Sequence, residues 1–520
     1  MVSDTFLKKY RFTFFLLLAF CFVVLLSQYY ENIISYNYAN GEIENEIEEY
    51  PSMSNEFLVS RLRIDRSDSS RAEIVRKAQE AVPTFPLAFW EQHKNENLYY
   101  HNSSCARFPD LYRLRVNNLY WQIFSTTNET VFLYGAYYDV RKRCSVCPVV
   151  RLLAATDRPL VTGKTYCQIW FADSREPVIV ESLSYFRIMT NDLPLNPYLI
   201  TCPIPPDCGN RVPMFVSLVE RMCEVASNSL RIIFDKPGNA SRKRGFAVCV
   251  KMLDYLHEDL SPRLIEWIEL VRLLGADKIH FYTLFVHENM TKVLKYYQQR
   301  GLVELTPTTL VGEEVNAPYF QHLFLTNLTW QEKWINEVIQ VNDCFYKNMY
   351  KYDYITPFDT DEVIVPNEEF NWTSLMKTVL KKTSSRGDIT SYQTRMVIFP
   401  NCGNVIQPYK DIPPYMYMLQ HVFSDTQKIL PTAKTFFDTE MMEVLNNHWG
   451  VKCLPGSCNP YWIERSDAEL FHYRNEPYNM RNSWSCDATK NDTINTAIWK
   501  YKRTLTDRTL ATLYNLGFYS

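Results

Sequence analysis

GFAVCVKMLDYLHEDLSPRLIEWIELVRLLGADKIHFY, residues 245–282, switches twice between strand and helix chemistry. Phe246–Val250 is a short apolar run of the buried-strand kind. Ser261-Pro262 then opens a helix, with the serine as N-cap and the proline at the first position. Leu264, Ile265, Ile268, Val271 and Leu274 recur at helical spacing, and Gly275 ends the run. Lys278–Tyr282 reads as the next strand. Downstream the alternation continues: a helix over Met290–Arg300 closed by Gly301, a short strand at Val303–Leu305, a long helix at about Trp330–Met349, and a strand at Tyr352–Phe358. Repeated strand–helix–strand units imply parallel strands joined by right-handed crossovers, an α/β sheet of the nucleotide-binding type. In such sheets ligands sit at the carboxyl ends of the strands.

Upstream, the character differs. From about 84 to 244 the chain shows short apolar strands such as Thr130–Tyr137, Val149–Ala154 and Tyr198–Cys202, with PIPPDCGN (203–210) as a breaker. This predicts a β-rich lobe before the α/β domain at 245–515. A chain of 520 residues, 46% hydrophobic and 22% charged, has the composition of a globular protein with more than one lobe. Its formal net charge of -3 offers no electrostatic case for nucleic acid.

The N-terminus carries Lys8, Lys9 and Arg11, then the apolar run Phe12–Leu26 and Tyr29-Tyr30. A cleaved signal has the same layout, but no small-x-small cleavage site follows, so the reading is a signal anchor over 12–30. Basic residues stay cytoplasmic, giving a type II membrane protein with a tail at 1–11 and everything downstream luminal. Residues 31–83, rich in Glu, Ser, Arg and Asp, read as a luminal stem. Seven N-x-Ser/Thr sequons, from Asn102 to Asn491, follow the anchor. Thirteen of the fourteen cysteines also follow it, which fits disulfides in an oxidising compartment and leaves one thiol over. Cys144–Cys147 and Cys453–Cys458 are expected as small disulfide loops.

Asp359-Thr360-Asp361-Glu362 follows the strand at 352–358, where a ligand is expected. In an extended backbone Asp359 and Asp361 point the same way, offering hard oxygen ligands to Mg²⁺ or Mn²⁺. A solvated acidic turn is the bland alternative. A calcium loop fails on spacing, because its sixth position would be Ile364 and its twelfth Phe370. D-T-D-E-V also resembles the haloacid-dehalogenase phosphatase signature, yet over a hundred residues of α/β pattern precede it and no Asp-Asp pair follows. The remaining reading is a metal-dependent nucleotide-sugar glycosyltransferase of the GT-A type.

Beyond that motif the chain resembles glycosyltransferase family 92 from about residue 130 to 515. The resemblance is carried by VFLYGAYYDVR (131–141), FAVCVKMLDYL (246–256), LIEWIELVRLLGADKIHFY (264–282) and QVNDCFYKNMYKYDYITPFDTDEVIVP (340–366). KTFFDTEMMEVLNNHW (434–449) and ELFHYR (469–474) complete it. It implies a Golgi enzyme transferring a hexose, galactose from UDP-galactose, to the core fucose of N-glycans with inversion and Mn²⁺. A non-catalytic luminal glycan-binding protein on the same scaffold is the alternative.

Under that resemblance Asp359 and Asp361 match the Asp-x-Asp, with Asp361 the direct metal ligand and Asp359 holding metal or ribose. His448 and His472 are the candidates to complete the metal shell. Lys434 and Arg474 are candidates for the diphosphate. The catalytic base is not named by any spacing; Asp411, Asp438, Glu464, Asp467 and Glu469 are the downstream candidates. Asn342-Asp343 are expected to contact nucleotide or to serve the helix itself, and Trp449 and Trp484 to stack on a sugar or fill core. Oligomeric state is not legible.

Overall fold

The computed structural model describes residues 68–93, 105–109, 111–158, 163–174, 176–189, 193–236, 243–312, 315–400, 409–425, 433–474 and 492–519. The expected tail (1–11), the anchor (12–30), most of the stem (31–83) and Trp484 lie outside the described residues. No helix among the described residues is long and apolar enough to cross a membrane.

Between Val116 and Ile233 the chain forms a ten-stranded sheet. Thr130–Asp139 lies inside it, antiparallel to Val149–Thr156, which pairs in turn with Asn196–Pro203. Strand Thr130–Asp139 is buried on both faces, so no polar alternation marks it. Val131 and Leu133 pack against Val150, Leu152 and Ile169, whereas Phe132 and Tyr134 face Leu153, Leu199 and Ile339. A register shift between Leu133 and Gly135 then inverts the parity, so that Ala136 joins the first cluster and Tyr137 the second. A Cβ at Gly135 would stand 2.5 Å from the Tyr137 hydroxyl oxygen, which is why the bulge carries glycine.

The second sheet follows. Its principal elements are β1 (Arg244–Tyr255), α1 (Ser261–Leu274), β2 (Ala276–Val286), α2 (Glu288–Gln299), β3 (Val303–Pro307), α3 (Pro318–Asn327) and α4 (Trp330–Asn348). After these come β4 (Tyr352–Phe358), β5 (Glu362–Pro366), α5 (Trp372–Thr383), β6 (Ser391–Pro400), β7 (Ala433–Asp438), β8 (Met442–Leu445), β9 (Gly450–Cys453), β10 (Ala468–Arg474) and α6 (Lys502–Asn515). The order β3-β2-β1-β4 is parallel throughout. Chain order therefore reverses between β1 and β4, which is where such a sheet opens a ligand crevice. Antiparallel β7 and β6 extend the sheet beyond β4, and β10 links β6 to β5.

The caps differ from the expectation at one end. Ser261 is the first residue of α1, and Leu260 occupies the N-cap. Asp259 takes over the capping, its carboxylate accepting the Ser261 N–H at 3.0 Å. At the other end Gly275 adopts φ 105°, a left-handed conformation that closes the helix at little steric cost. Cys249–Cys344 ties β1 to α4. Cys144–Cys147, Cys453–Cys458, Cys105–Cys223 and Cys167–Cys202 are also bonded, and Cys208 is a buried free thiol.

Helix α1 buries more than its apolar stripe. Glu266 is fully enclosed and accepts the backbone N–H groups of Met418 at 3.0 Å and Leu419 at 3.2 Å. Burial outweighs these bonds and pushes the carboxyl up to about 7. The folded state then holds a proton that the unfolded chain has released above its ordinary range. Stability therefore falls as pH rises from about 4.5 through about 7, by roughly 3 kcal/mol from this group. Glu266→Gln is expected to flatten that part of the profile in urea titrations at pH 5 and 8. An unchanged difference between the two pH values would contradict the assignment.

Candidate active site

Strand β4 ends at Phe358, and the chain turns at once. The Asp359 carbonyl accepts the Glu362 N–H at 3.1 Å before β5 begins. Residues 359–361 are thus a turn rather than the extended segment expected from sequence. The turn spreads three carboxylates over two lysines and one histidine, each acid meeting a cationic or titratable partner.

β1 supplies the first partner. Its register sets Val250 opposite Phe358, so Lys251 stands beside Asp359 across the crevice. The Lys251 Nζ lies 3.3 Å from Asp359 Oδ1 and 2.8 Å from Glu337 Oε1 on α4. β7 supplies the second. Lys434 is fully buried, with Nζ 2.8 Å from Glu362 Oε2, 3.5 Å from Asp359 Oδ2 and 2.7 Å from Asn447 Oδ1. β10 supplies the third. His472 is in register with Glu362, its Nε2 3.4 Å from Asp361 Oδ2 and its Nδ1 3.3 Å from Glu362 Oε1. Tyr255, at the end of β1, bonds the Thr360 side chain.

Burial alone would raise the Asp359 carboxyl, but the Lys251 and Lys434 charges together hold it well below the carboxylate range. At Glu362 burial wins over Lys434 and the carboxyl is raised. The His472 imidazole is raised too: burial opposes its charge, and Glu362 and Asp361 overcome it. His448 goes the other way, pushed down to about 4 by burial and then by Lys434. Its Nδ1–H donates to the Ala433 carbonyl at 2.8 Å, which leaves Nε2 as the lone-pair nitrogen of a neutral ring.

Asp361 differs from its neighbours. Among the described residues it forms an ion pair with His472 alone, and 32% of its side chain is exposed. Two ligands of one octahedral ion at about 2.1 Å lie about 3 Å apart. The 3.4 Å between Asp361 Oδ2 and His472 Nε2 is close to that spacing. Glu362 stands 3.3 Å from the second ring nitrogen, close enough to favour a charged ring, although that nitrogen makes no hydrogen bond. Four carboxylates (Asp359, Asp361, Glu362, Glu337) face two ammonium groups and the His472 ring, an excess of acidic groups that favours a bound cation. Asp361 and His472 offer two of the donors such an ion takes, and among the described residues no third acidic, His or Cys ligand atom is grouped with them.

The crevice brings together Asp359, Asp361, Lys434 and His472, with His448 close enough to feel the Asp359 charge. Arg474 lies two residues beyond His472 on β10, and its charge opposes His472 protonation.

None of the base candidates joins them. Asp411 is an exposed partner of Lys502. Glu464 and Asp467 share Lys382, at 2.8 and 2.7 Å, and Glu469 pairs with Arg465 at 2.7 Å. Because β10 runs antiparallel to β5, Asp467 falls opposite the far end of β5, about 17 Å from His472. Asp438 is paired with Tyr354 near the start of β4, so it lines a separate 830 Å³ cavity at the opposite edge of the sheet. Asn342 and Asp343 do not reach the crevice either. Asn342 bonds Leu445 in the interior, and Asp343 accepts from Tyr137, Tyr282 and Lys347. Sequence reading missed Lys251 and Glu337. The signal for Lys251 was available, since it directly follows the apolar run of β1 at a carboxyl end; Glu337 carried none.

A parallel sheet with an acidic turn at its reversal point defines a glycosyltransferase-like α/β fold. The chain belongs to glycosyltransferase family 92, whose model matches residues 244–509. No curated protein matches the chain. Among solved structures, the apo structure of the bifunctional glycosyltransferase WbbM aligns over 42% of this chain and 36% of that one, at 12% identity and a TM-score of 0.19. The chain spans about a third of that protein's length, and the likeness is too low to define a fold.

Proposed function

We propose that this protein is a GT-A type hexosyltransferase that moves galactose from UDP-galactose to the core fucose of N-glycans with inversion, as a type II protein of the Golgi membrane. The donor, acceptor and linkage come from the family resemblance. The observation that carries the chemistry is the Asp361–His472 pair, with its surplus negative charge, at the β1–β4 crevice.

Asp361 and His472 would hold Mn²⁺, or Mg²⁺, with His448 within reach of the same crevice; when bound, that ion withdraws charge from the leaving diphosphate, a Lewis-acid contribution of several kcal/mol. Asp359, fixed by two lysines, presents a rigid carboxylate to the ribose or the ion. Lys434 keeps the floor of the crevice neutral and sets Glu362 behind His472. Arg474 is placed to approach a phosphate. Five disulfides among the described residues and the sequons support a luminal setting.

The test uses residues 75–520, a compact unit of their own, with Mn²⁺, a panel of UDP-sugars and a core-fucosylated N-glycan. A mass gain of one hexose on the glycan is expected with UDP-galactose. Phosphate release from phosphomonoesters without glycan modification would replace this reading with a phosphatase. Glycan affinity without turnover would replace it with a binding protein.

A further inference from the structure

A cavity of 220 Å³ lies one lysine side chain away from the Asp359 carboxylate. One face of α4 supplies Trp334 and Glu337, the β8–β9 connection supplies His448 and Trp449, and Met189, just past the strand Ser184–Arg187 of the first sheet, closes it. Two one-residue bridges connect its wall to the Asp359 carboxylate. The first runs Glu337–Lys251–Asp359, at 2.8 and 3.3 Å. The second runs Asn447–Lys434–Asp359, at 2.7 and 3.5 Å.

The two oxygens of Glu337 have unequal surroundings. Oε1 takes Lys251, whereas Oε2 is buried and makes no hydrogen bond. A buried carboxylate oxygen without a donor is costly, and its usual resolution is a hydroxyl or amide brought by a ligand. Trp334 and Trp449 add indole rings to the same small space, and indole faces suit the C–H face of a sugar ring. A cavity of this size has room for one monosaccharide, not for a nucleotide.

We propose that this cavity receives the terminal pyranose of the acceptor and that Glu337 is the general base of the transfer. The inference rests on the glycosyltransferase reading and adds the acceptor subsite and the missing base to it. Glu337 Oε2 takes the proton of the acceptor hydroxyl. The freed oxygen lone pair forms the bond to the anomeric carbon. The bond from that carbon to the diphosphate oxygen breaks, its electron pair leaving on the nucleoside diphosphate. Protons and charge balance, and no further reactant is needed.

Glu337→Gln keeps the side chain's shape while removing its basicity. With UDP-galactose, Mn²⁺ and the core-fucosylated glycan, transfer is expected to fall at least a hundredfold, with UDP affinity within about threefold of the parent. Sodium azide, a nucleophile with no proton to lose, is expected to yield galactosyl azide at the parental rate or faster. Glu337→Asp, which retains a retracted carboxylate, is expected to lie between the two, and it serves as the readout if Gln at 337 disturbs UDP binding. Transfer within fivefold of the parent in both variants would overturn the proposal. So would azide and glycan transfer declining in parallel, the result of a merely structural role. A parent that binds no UDP would instead refute the transfer reading itself.

Discussion

Asp361→Ala is expected to reduce sugar transfer at least about a thousandfold while leaving the fold intact. A thousandfold is about 4 kcal/mol of barrier, within the several kcal/mol that a divalent ion supplies to a departing diphosphate. The structural reason is the division of labour among three adjacent acids. Glu362 is consumed by Lys434 and Asp359 by Lys251 and Lys434, so their charge is already answered within the protein. Asp361 keeps its charge facing the crevice with only an imidazole beside it. Removing it strips the metal's carboxylate but leaves no lysine without a partner. The expected cost in stability is below about 1 kcal/mol, as for other partly exposed groups. Mn²⁺ titration of the parent and the variant, alongside turnover at saturating UDP-galactose, separates the two effects. Retention of more than a tenth of parental turnover, or undiminished Mn²⁺ affinity, would remove Asp361 from the role.

The same crevice explains which parts of the site could be read from sequence. Strand β4 has the bounds that its composition suggested, Tyr352–Phe358, because an apolar run ending in charged residues marks both a strand and its exit. Helix α1 ends at Gly275 for a local reason, the left-handed closure. Local chemistry of this kind is written in consecutive residues. The base was not, because a strand's direction decides which of its ends reaches the crevice. Lys434 and Asp438 lie on the same short strand, four residues or about 13 Å apart. Antiparallel pairing with β4 brings the first to the acidic turn and carries the second to the far edge. Asp467 and Glu469 precede His472 closely in sequence yet belong to the other end of β10 for the same reason. Glu337 comes to Lys251 only because α4 packs along β1, a tertiary contact reinforced by Cys249–Cys344. No spacing within one element encodes that approach.

Lys434→Met is expected to cost about 3–5 kcal/mol of folding stability, the largest such effect at this site. Methionine fits the space of the lysine stem, so packing changes little. What is lost is an ammonium group inside the floor of the crevice, where Lys434 has no solvent exposure. Among the described residues Glu362, itself 1% exposed, then has no cation partner but the His472 ring, and Asp359 retains only Lys251. An uncompensated buried carboxylate is far more costly than a missing surface pair, and salt does not screen it. The pH dependence has a definite sign. Glu362 is already raised by burial, and losing Lys434 raises it further, so the variant's folded state holds its proton to higher pH. Its contribution is present in acid and lost as pH rises, so the gap between parent and variant widens from pH 5 to pH 8. Adding Glu362→Leu removes the orphaned charge and is expected to restore most of the loss, since apolar replacement of both members of a buried pair is often neutral. Chemical denaturation at the two pH values checks both statements. A Lys434→Met midpoint equivalent to less than 1 kcal/mol, or a gap that narrows toward alkaline pH, would mean that Glu362 is not charged in the folded crevice and that Lys434 serves only as a donor to Asn447.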